Sequence, residues 1–247
     1  MQAVYKILDE DAKKHVTDYI KTKVITGNIV NTIIKLYNDV SEEKKFNDEY
    51  FQSAYQMSVT PLFEFYLGRL FFHYFKIRGI EAVVYLRKQT QKCAPDIRIE
   101  QKGKTKAIIE VKIKGGWIQP FFSQERYDND IEKKNNNIRD FNPQEIVDKQ
   151  NDQINKYNEI FGNPLVFVLL PTFNMIHRKK YKATIESYKI VFHKRTGLPK
   201  KNLVVLSKNL ILNLSKAKKT DNLDLTNDFE FMFESIIKKI RPTTVST

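Results

Sequence analysis

Asp96, Glu110 and Lys112 are the residues of this sequence whose types and spacing best suit chemistry. Asp96 opens Asp-Ile-Arg-Ile-Glu at 96–100 and Glu110 opens Glu-Val-Lys-Ile-Lys at 110–114, an alternation with the period of a strand. On that reading Asp96, Arg98 and Glu100 share one face, with Ile97 and Ile99 on the other, and Glu110, Lys112 and Lys114 alternate with Ile109, Val111 and Ile113. If the two strands are neighbours in register, Asp96, Glu110 and Lys112 converge. Two carboxylates beside an ammonium make a hard oxygen site for Mg2+ with a cation next to it, suited to activating water against a phosphodiester. The same pattern also describes an antiparallel hairpin with an ordinary polar face.

The surrounding elements must position these groups. Residues 1–59 read as short helices, at 9–23, at 28–39 with Ile29, Ile33, Leu36 and Tyr37 on one face, and near 47–57. Thr60-Pro61 then reads as a cap followed by the first position of a new helix, apolar on almost every side and ending at Gly79. Strand-like runs follow at 82–88, 96–101 and 106–114, the last two separated by the turn Gln101-Lys102-Gly103-Lys104. Residues 115–142 lose periodicity over a length that a compact domain carries as a functional loop or a mobile insert. Trp117, Phe121, Phe122 and Tyr127 in it could stack on bases or pack onto the core. Pro143 opens a helix closed by Gly162, and 165–170 is a buried-strand run. Further strands are expected at 183–193 and 203–214, then a last helix from Asn227 with Phe229, Met232, Phe233, Ile236, Ile237 and Ile240 on one stripe, and a frayed tail.

Pro95-Asp96, thirteen intervening residues and Glu110-Val111-Lys112 resemble the signature of the PD-(D/E)xK nucleases, which include many restriction endonucleases, resolvases and repair nucleases. The order of elements around the motif is similar to that family's helix, three strands, helix, strand. The resemblance covers residues 60 to about 172. It implies an α/β, restriction-endonuclease-like core at 60–175; the N-terminal helices at 1–59 and the basic C-terminal α/β region at 176–247 are extensions that it does not explain. It further implies that Asp96 and Glu110, with the backbone carbonyl of Val111, hold Mg2+, for which Mn2+ substitutes. Lys112 would orient or deprotonate the attacking water and stabilise charge on phosphorus. Many members add a glutamate from the first core helix, and Glu64 is the only acid within 62–75. A lone buried carboxylate needs a partner, so the alternatives for Glu64 are pairing with a base such as Arg69 or reaching water. In the helix from Pro143, Gln150, Gln153 and Tyr157 share a face, and Gln153 to Tyr157 resembles the Gln-x-x-x-Tyr element of the RecB-like branch, whose residues could touch metal-bound water or the scissile phosphate.

Charge points to the same class of partner. The net charge of the 247 residues is +13, and 176–219 holds 13 basic residues and one acid, so nearly all of the excess lies there. Such a region attracts phosphate backbones by counterion release, or else is a solvated, solubilising face. Arg178, Lys179, Lys180, Lys194, Arg195, Lys200 and Lys201 are the expected DNA contacts, with His177 and His193 among them. His73, in an aromatic helix, reads as a core histidine. Cys93, the single cysteine, lacks zinc-ligand spacing and cannot form an internal disulfide. The first fifteen residues have no apolar secretory core, and no apolar run approaches membrane length. The expectation is therefore a cytoplasmic, Mg2+-dependent DNA endonuclease of restriction or other defence type, acting as a homodimer on duplex. The alternatives are a structure-specific or RecB-like nuclease acting on branched DNA or single-stranded ends, and a non-catalytic DNA-binding module.

Overall fold

A computed structural model of the chain describes residues 2–44, 51–91, 93–112, 143–172, 185–208 and 223–240. They form an α/β fold around a five-stranded mixed sheet. In chain order the elements are α1 (Gln2–Thr22), α2 (Thr26–Lys44), α3 (Phe51–Ile77), β1 (Val83–Leu86), β2 (Ile97–Gln101), β3 (Lys104–Val111), α4 (Pro143–Phe161), β4 (Leu165–Thr172), α5 (Ile185–Thr196), β5 (Leu203–Ser207) and α6 (Asp228–Ile240), with a 3-10 turn at Lys200–Asn202. The spatial order of the strands is their chain order.

β1, β2 and β3 are antiparallel, whereas β3, β4 and β5 run parallel. The change follows from the connections. Lys102 and Gly103 join β2 to β3 with φ of 51° and 70°, the left-handed pair of a type I′ hairpin turn. Parallel neighbours need a crossover instead, and α4 lies between β3 and β4 in the chain. The hairpin carries a bulge. Its turn pairs Gln101 with Lys104 and Glu100 with Thr105, yet beyond it Ile99 faces Ala107 and Ile97 faces Ile109. Extended one step past β2, the slipped register sets Asp96 opposite Glu110, where the unslipped one would set it opposite Ile109. Opposite residues of an antiparallel pair share a face, so this one-residue slip brings the two carboxylates to the same side.

One face of the sheet, with Ile97, Ile99, Ala107, Ile109, Val111, Phe167, Leu169, Val204 and Leu206, packs in a single cluster with α1, α2, α3 and α6. The stripe expected on α6 is buried throughout, and Phe233 lies 4.7 Å from Phe71, 5.1 Å from Tyr19 and 5.2 Å from Tyr74, ring centre to ring centre. Glu230 of α6 accepts from the amides of Ile25 and Thr26 at 2.9 and 2.8 Å and so caps α2. The opposite face, around Ile108, Val166 and Cys93, is covered by Tyr157 of α4.

Three expectations are corrected. The helices expected at 47–57 and from Thr60 are one: α3 passes through Pro61. An interior proline costs about 3 kcal/mol, but Val59, Phe63, Tyr66, Leu67, Leu70 and Phe71 are all buried, at about 1.5–3 kcal/mol per large apolar side chain. The boundary drawn between 59 and 60 thus falls inside a continuous helix whose two sides share the core with α1 and α2. Residues 185–193, expected within a strand at 183–193, lie in the helix α5 (Ile185–Thr196). Their β-branched and aromatic residues suggest a strand, but Glu186 in the first turn, His193, Lys194 and Arg195 in the last, and Gly197 at φ 70° are helix punctuation. The strand expected at 203–214 is β5, which ends at Ser207; 209–214 and 115–142 lie outside the described residues.

Candidate functional site

The site lies where β2 begins and β3 ends. Asp96 stands one residue before β2, and its Oδ2 accepts the Val111 amide at 2.8 Å. Glu110 is 4% exposed, on the face covered by α4; its Oε1 accepts from the Tyr157 hydroxyl at 2.5 Å and its Oε2 from Lys112 Nζ at 2.9 Å. Lys112 Nζ is also 4.0 Å from Asp96 Oδ2. Gln153, one helical turn before Tyr157, donates to its hydroxyl at 2.5 Å. Asp96, Glu110 and Lys112 therefore converge as their spacing suggests, and Gln153 and Tyr157 join them through Glu110. The side chain of Gln150 lies outside the described residues.

Glu64 reaches the border of the site from α3. It is 2% exposed, and its partner is Arg87, just after β1, rather than Arg69 or water. Arg87 Nε and Nη2 donate to Glu64 Oε2 and Oε1 at 2.5 and 2.7 Å, a bidentate pair that engages both carboxylate oxygens. Arg69 instead pairs with Asp9, which also bonds His73 Nε2 at 2.7 Å, so His73 is the buried core histidine expected of it. The Arg87 amide donates to the Asp96 carbonyl at 3.1 Å, which ties the end of β1 to the start of the site. Arg87 carries no periodic signal and was not singled out by sequence; only the pairing of β1 with β2 brings it here.

The electrostatics are those of crowded carboxylates. Burial first, then the charges of Glu110 and Glu64, push the Asp96 carboxyl up to about 7 against the pull of Lys112 and the Val111 amide. Burial alone would lower Lys112, but Glu110 and Asp96 outweigh it and hold the amine protonated. In the metal-free protein it is therefore an ammonium, a donor and a positive charge. Tyr157 is pushed up by burial and by Glu110, so its hydroxyl keeps its proton.

Arg98 corrects the picture of a solvated polar face. It is 4% exposed and lies between the rings of Tyr85 and Phe161, 4.8 and 5.1 Å from their centres, with Nη1 on Thr90 Oγ1 at 2.8 Å. The face shared by Asp96, Arg98 and Glu110 is turned under α4. Glu110 is buried on that face for the same reason.

Among the described residues no group of three or more His, Cys, Asp or Glu side chains could hold a metal ion. The available donors are Asp96 and Glu110, with the Val111 carbonyl beside them. A pair of carboxylates with water completing the shell suits Mg2+, which keeps several waters and takes one or two carboxylates. It does not suit a cation that needs an all-protein cage. The raised Asp96 carboxyl is a second sign of fit, because Glu64, Asp96 and Glu110 outnumber Arg87 and Lys112 by one charge.

Of the basic residues, Lys194 and Arg195 lie in the last turn of α5 and Lys200 and Lys201 in the 3-10 turn before β5. Lys194, Lys200 and Lys201 are exposed; Lys200 Nζ is 3.0 Å from Glu186 and Lys201 Nζ is 4.8 Å from the centre of the Phe231 ring. α5 packs against α4, the helix that carries Gln153 and Tyr157. Arg178, Lys179, Lys180 and His177 lie outside the described residues. No helix among the described residues is long and apolar enough to cross a membrane. Comparison of the chain with protein-family models, curated proteins and solved structures yields no match.

Proposed function

We propose that this protein is a metal-dependent deoxyribonuclease that hydrolyses phosphodiester bonds, with a PD-(D/E)xK-like, restriction-endonuclease-like core. The observation that carries the reading is the convergence of Asp96 and Glu110 with the Lys112 ammonium, 2.9 Å from Glu110 and 4.0 Å from Asp96, at the end of a mixed sheet. The order α3, β1, β2, β3, α4, β4 supports it, being the helix, three strands, helix, strand of that family. Asp96, Glu110 and the Val111 carbonyl would hold Mg2+, which supplies the positive charge that polarises a phosphodiester and activates water. The chain's own residues do the rest. Val111 fixes Asp96 through its amide, Tyr157 and Lys112 fix the two oxygens of Glu110, and the Lys112 ammonium is a donor for a phosphoryl oxygen as charge builds on phosphorus.

The basic residues near α5 would grip the backbone from the side of α4. The bond from Tyr157 to Glu110, with Gln153 behind it, favours the RecB-like branch and DNA ends or branches as substrates. Cleavage of both strands of a duplex, the restriction-type reading, would call for two chains with one site each. Incubation with phage, plasmid and single-stranded DNA in Mg2+, followed by sequencing of the cut ends, separates these substrates. No turnover on any of them, with binding retained, would make the protein a DNA-binding module.

A further inference from the structure

The exposed half of Arg87 has no part in the site as described so far. Its Nε and Nη2 are spent on Glu64, a carboxylate 2% exposed and fixed on α3. The arginine side chain itself is 50% exposed, and Nη1 has no protein acceptor among the described residues. Its backbone is bound to the Asp96 carbonyl, and the charges of Asp96 and Glu110 act on its guanidinium. A buried carboxylate that holds two donors of a half-exposed guanidinium fixes the plane of that group and leaves its third nitrogen for an acceptor from solution. Arginine held in this way suits a phosphate oxygen better than a flexible lysine does.

We propose that Arg87 is a phosphate-binding residue of this site and that Glu64 is its positioning residue rather than a metal ligand. The assignment rests on the nuclease reading above and departs from the role that the family resemblance suggests for Glu64. A metal at Asp96 and Glu110 does not require Glu64, whose charge is matched by the bidentate guanidinium of Arg87. The phosphate so bound would be the scissile one or its neighbour, since Arg87 adjoins the first residue of the site.

The test uses the full-length protein and two readouts that do not depend on turnover: Mn2+ affinity by titration calorimetry, and duplex DNA affinity in Ca2+ at several salt concentrations. The double variant Glu64→Gln/Arg87→Gln removes one charge of each sign and leaves no buried ion unpaired. It should bind Mn2+ within about twofold of wild type, while its slope of log K against log salt falls by about 0.9, one phosphate contact. Arg87→Lys should show intermediate DNA affinity with unchanged Mn2+ binding. A tenfold or greater loss of Mn2+ affinity in the double variant with an unchanged salt slope would overturn the proposal and make Glu64 a metal ligand. Failure of the wild type itself to bind Mn2+, or equal binding by wild type and Asp96→Ala, would instead sink the nuclease reading on which it rests.

Discussion

Tyr157 of α4 donates its hydroxyl to Glu110 of β3 at 2.5 Å, so a carboxylate 4% exposed is held from the helix that covers it. The bond joins two elements separated in the chain by residues 112–142, and the Gln153 amide, one turn earlier, completes the hydroxyl's partners. With Lys112 on its other oxygen, Glu110 has little rotational freedom left. A metal held by only two carboxylates would depend on such fixing, because among the described residues no third acid shares the load.

Tyr157→Phe removes that bond and leaves a buried carboxylate oxygen and an amide short of a partner. A hydrogen bond to a charged group contributes about 1.5–3 kcal/mol, so the variant should unfold at lower denaturant with an unchanged slope. The cleavage rate should drop by about tenfold, equivalent to about 1.4 kcal/mol of transition-state stabilisation. Full activity with wild-type stability would show that the bond orients nothing.

Asp96→Asn should end cleavage and yet stabilise the metal-free protein at pH 8. The folded-state pKa is raised to about 7 from an ordinary 3.8, so between these values the folded protein holds a proton that the unfolded chain has released. The contribution of this group to stability is fully present below about pH 4 and is lost as pH rises through about 7. Asparagine keeps the acceptor for the Val111 amide and removes the repulsion. Its advantage in thermal unfolding should therefore grow from pH 5 to pH 8 and vanish near pH 4. A constant offset across that range would mean that the carboxyl is not raised.

Metal identity is a separate check. Mg2+ and Mn2+ should both sustain cleavage, Ca2+ should support DNA binding without turnover, and chelation should stop the reaction, since Ca2+ takes looser oxygen geometry and activates water poorly. Stabilisation of the protein by Mn2+ should increase with pH through about 7, because the cation displaces the proton on Asp96. Cleavage in excess chelator would point to a metal-independent chemistry.

The basic region should act as a clamp on phosphates. Replacing Arg178, Lys179, Lys180, Lys194 and Arg195 with uncharged residues should weaken DNA binding across sequences and flatten the salt dependence by about 0.9 per lost phosphate contact. Sequence or structure preference should survive, since phosphate contacts position and base contacts specify. An unchanged slope would place the DNA elsewhere, and the basic residues would then serve solubility.

Local pattern was sufficient for most of the elements. Alternation marks β2 and β3, a continuous apolar run marks β4, and the stripe from Phe229 to Ile240 marks α6, because periodicity reports which side of an element is buried. Where propensity competed with burial it misled: α5 is rich in strand formers, and Pro61 reads as a helix start although α3 runs through it.

For the site, the sequence determined the donor types, the hairpin turn at Lys102-Gly103 and the alternation that puts Asp96 and Glu110 on polar faces. Whether those faces were the same one was left to the tertiary structure. The slip between Ile99 and Glu100 moves the register by one residue, and a shift of one residue in a period of two exchanges every side chain between faces. Likewise only the packing of α3 on β1 joins Glu64 to Arg87, and only α4 laid over β3 joins Tyr157 to Glu110, because charge pairs and buried hydrogen bonds between distant segments leave no periodic trace along the chain.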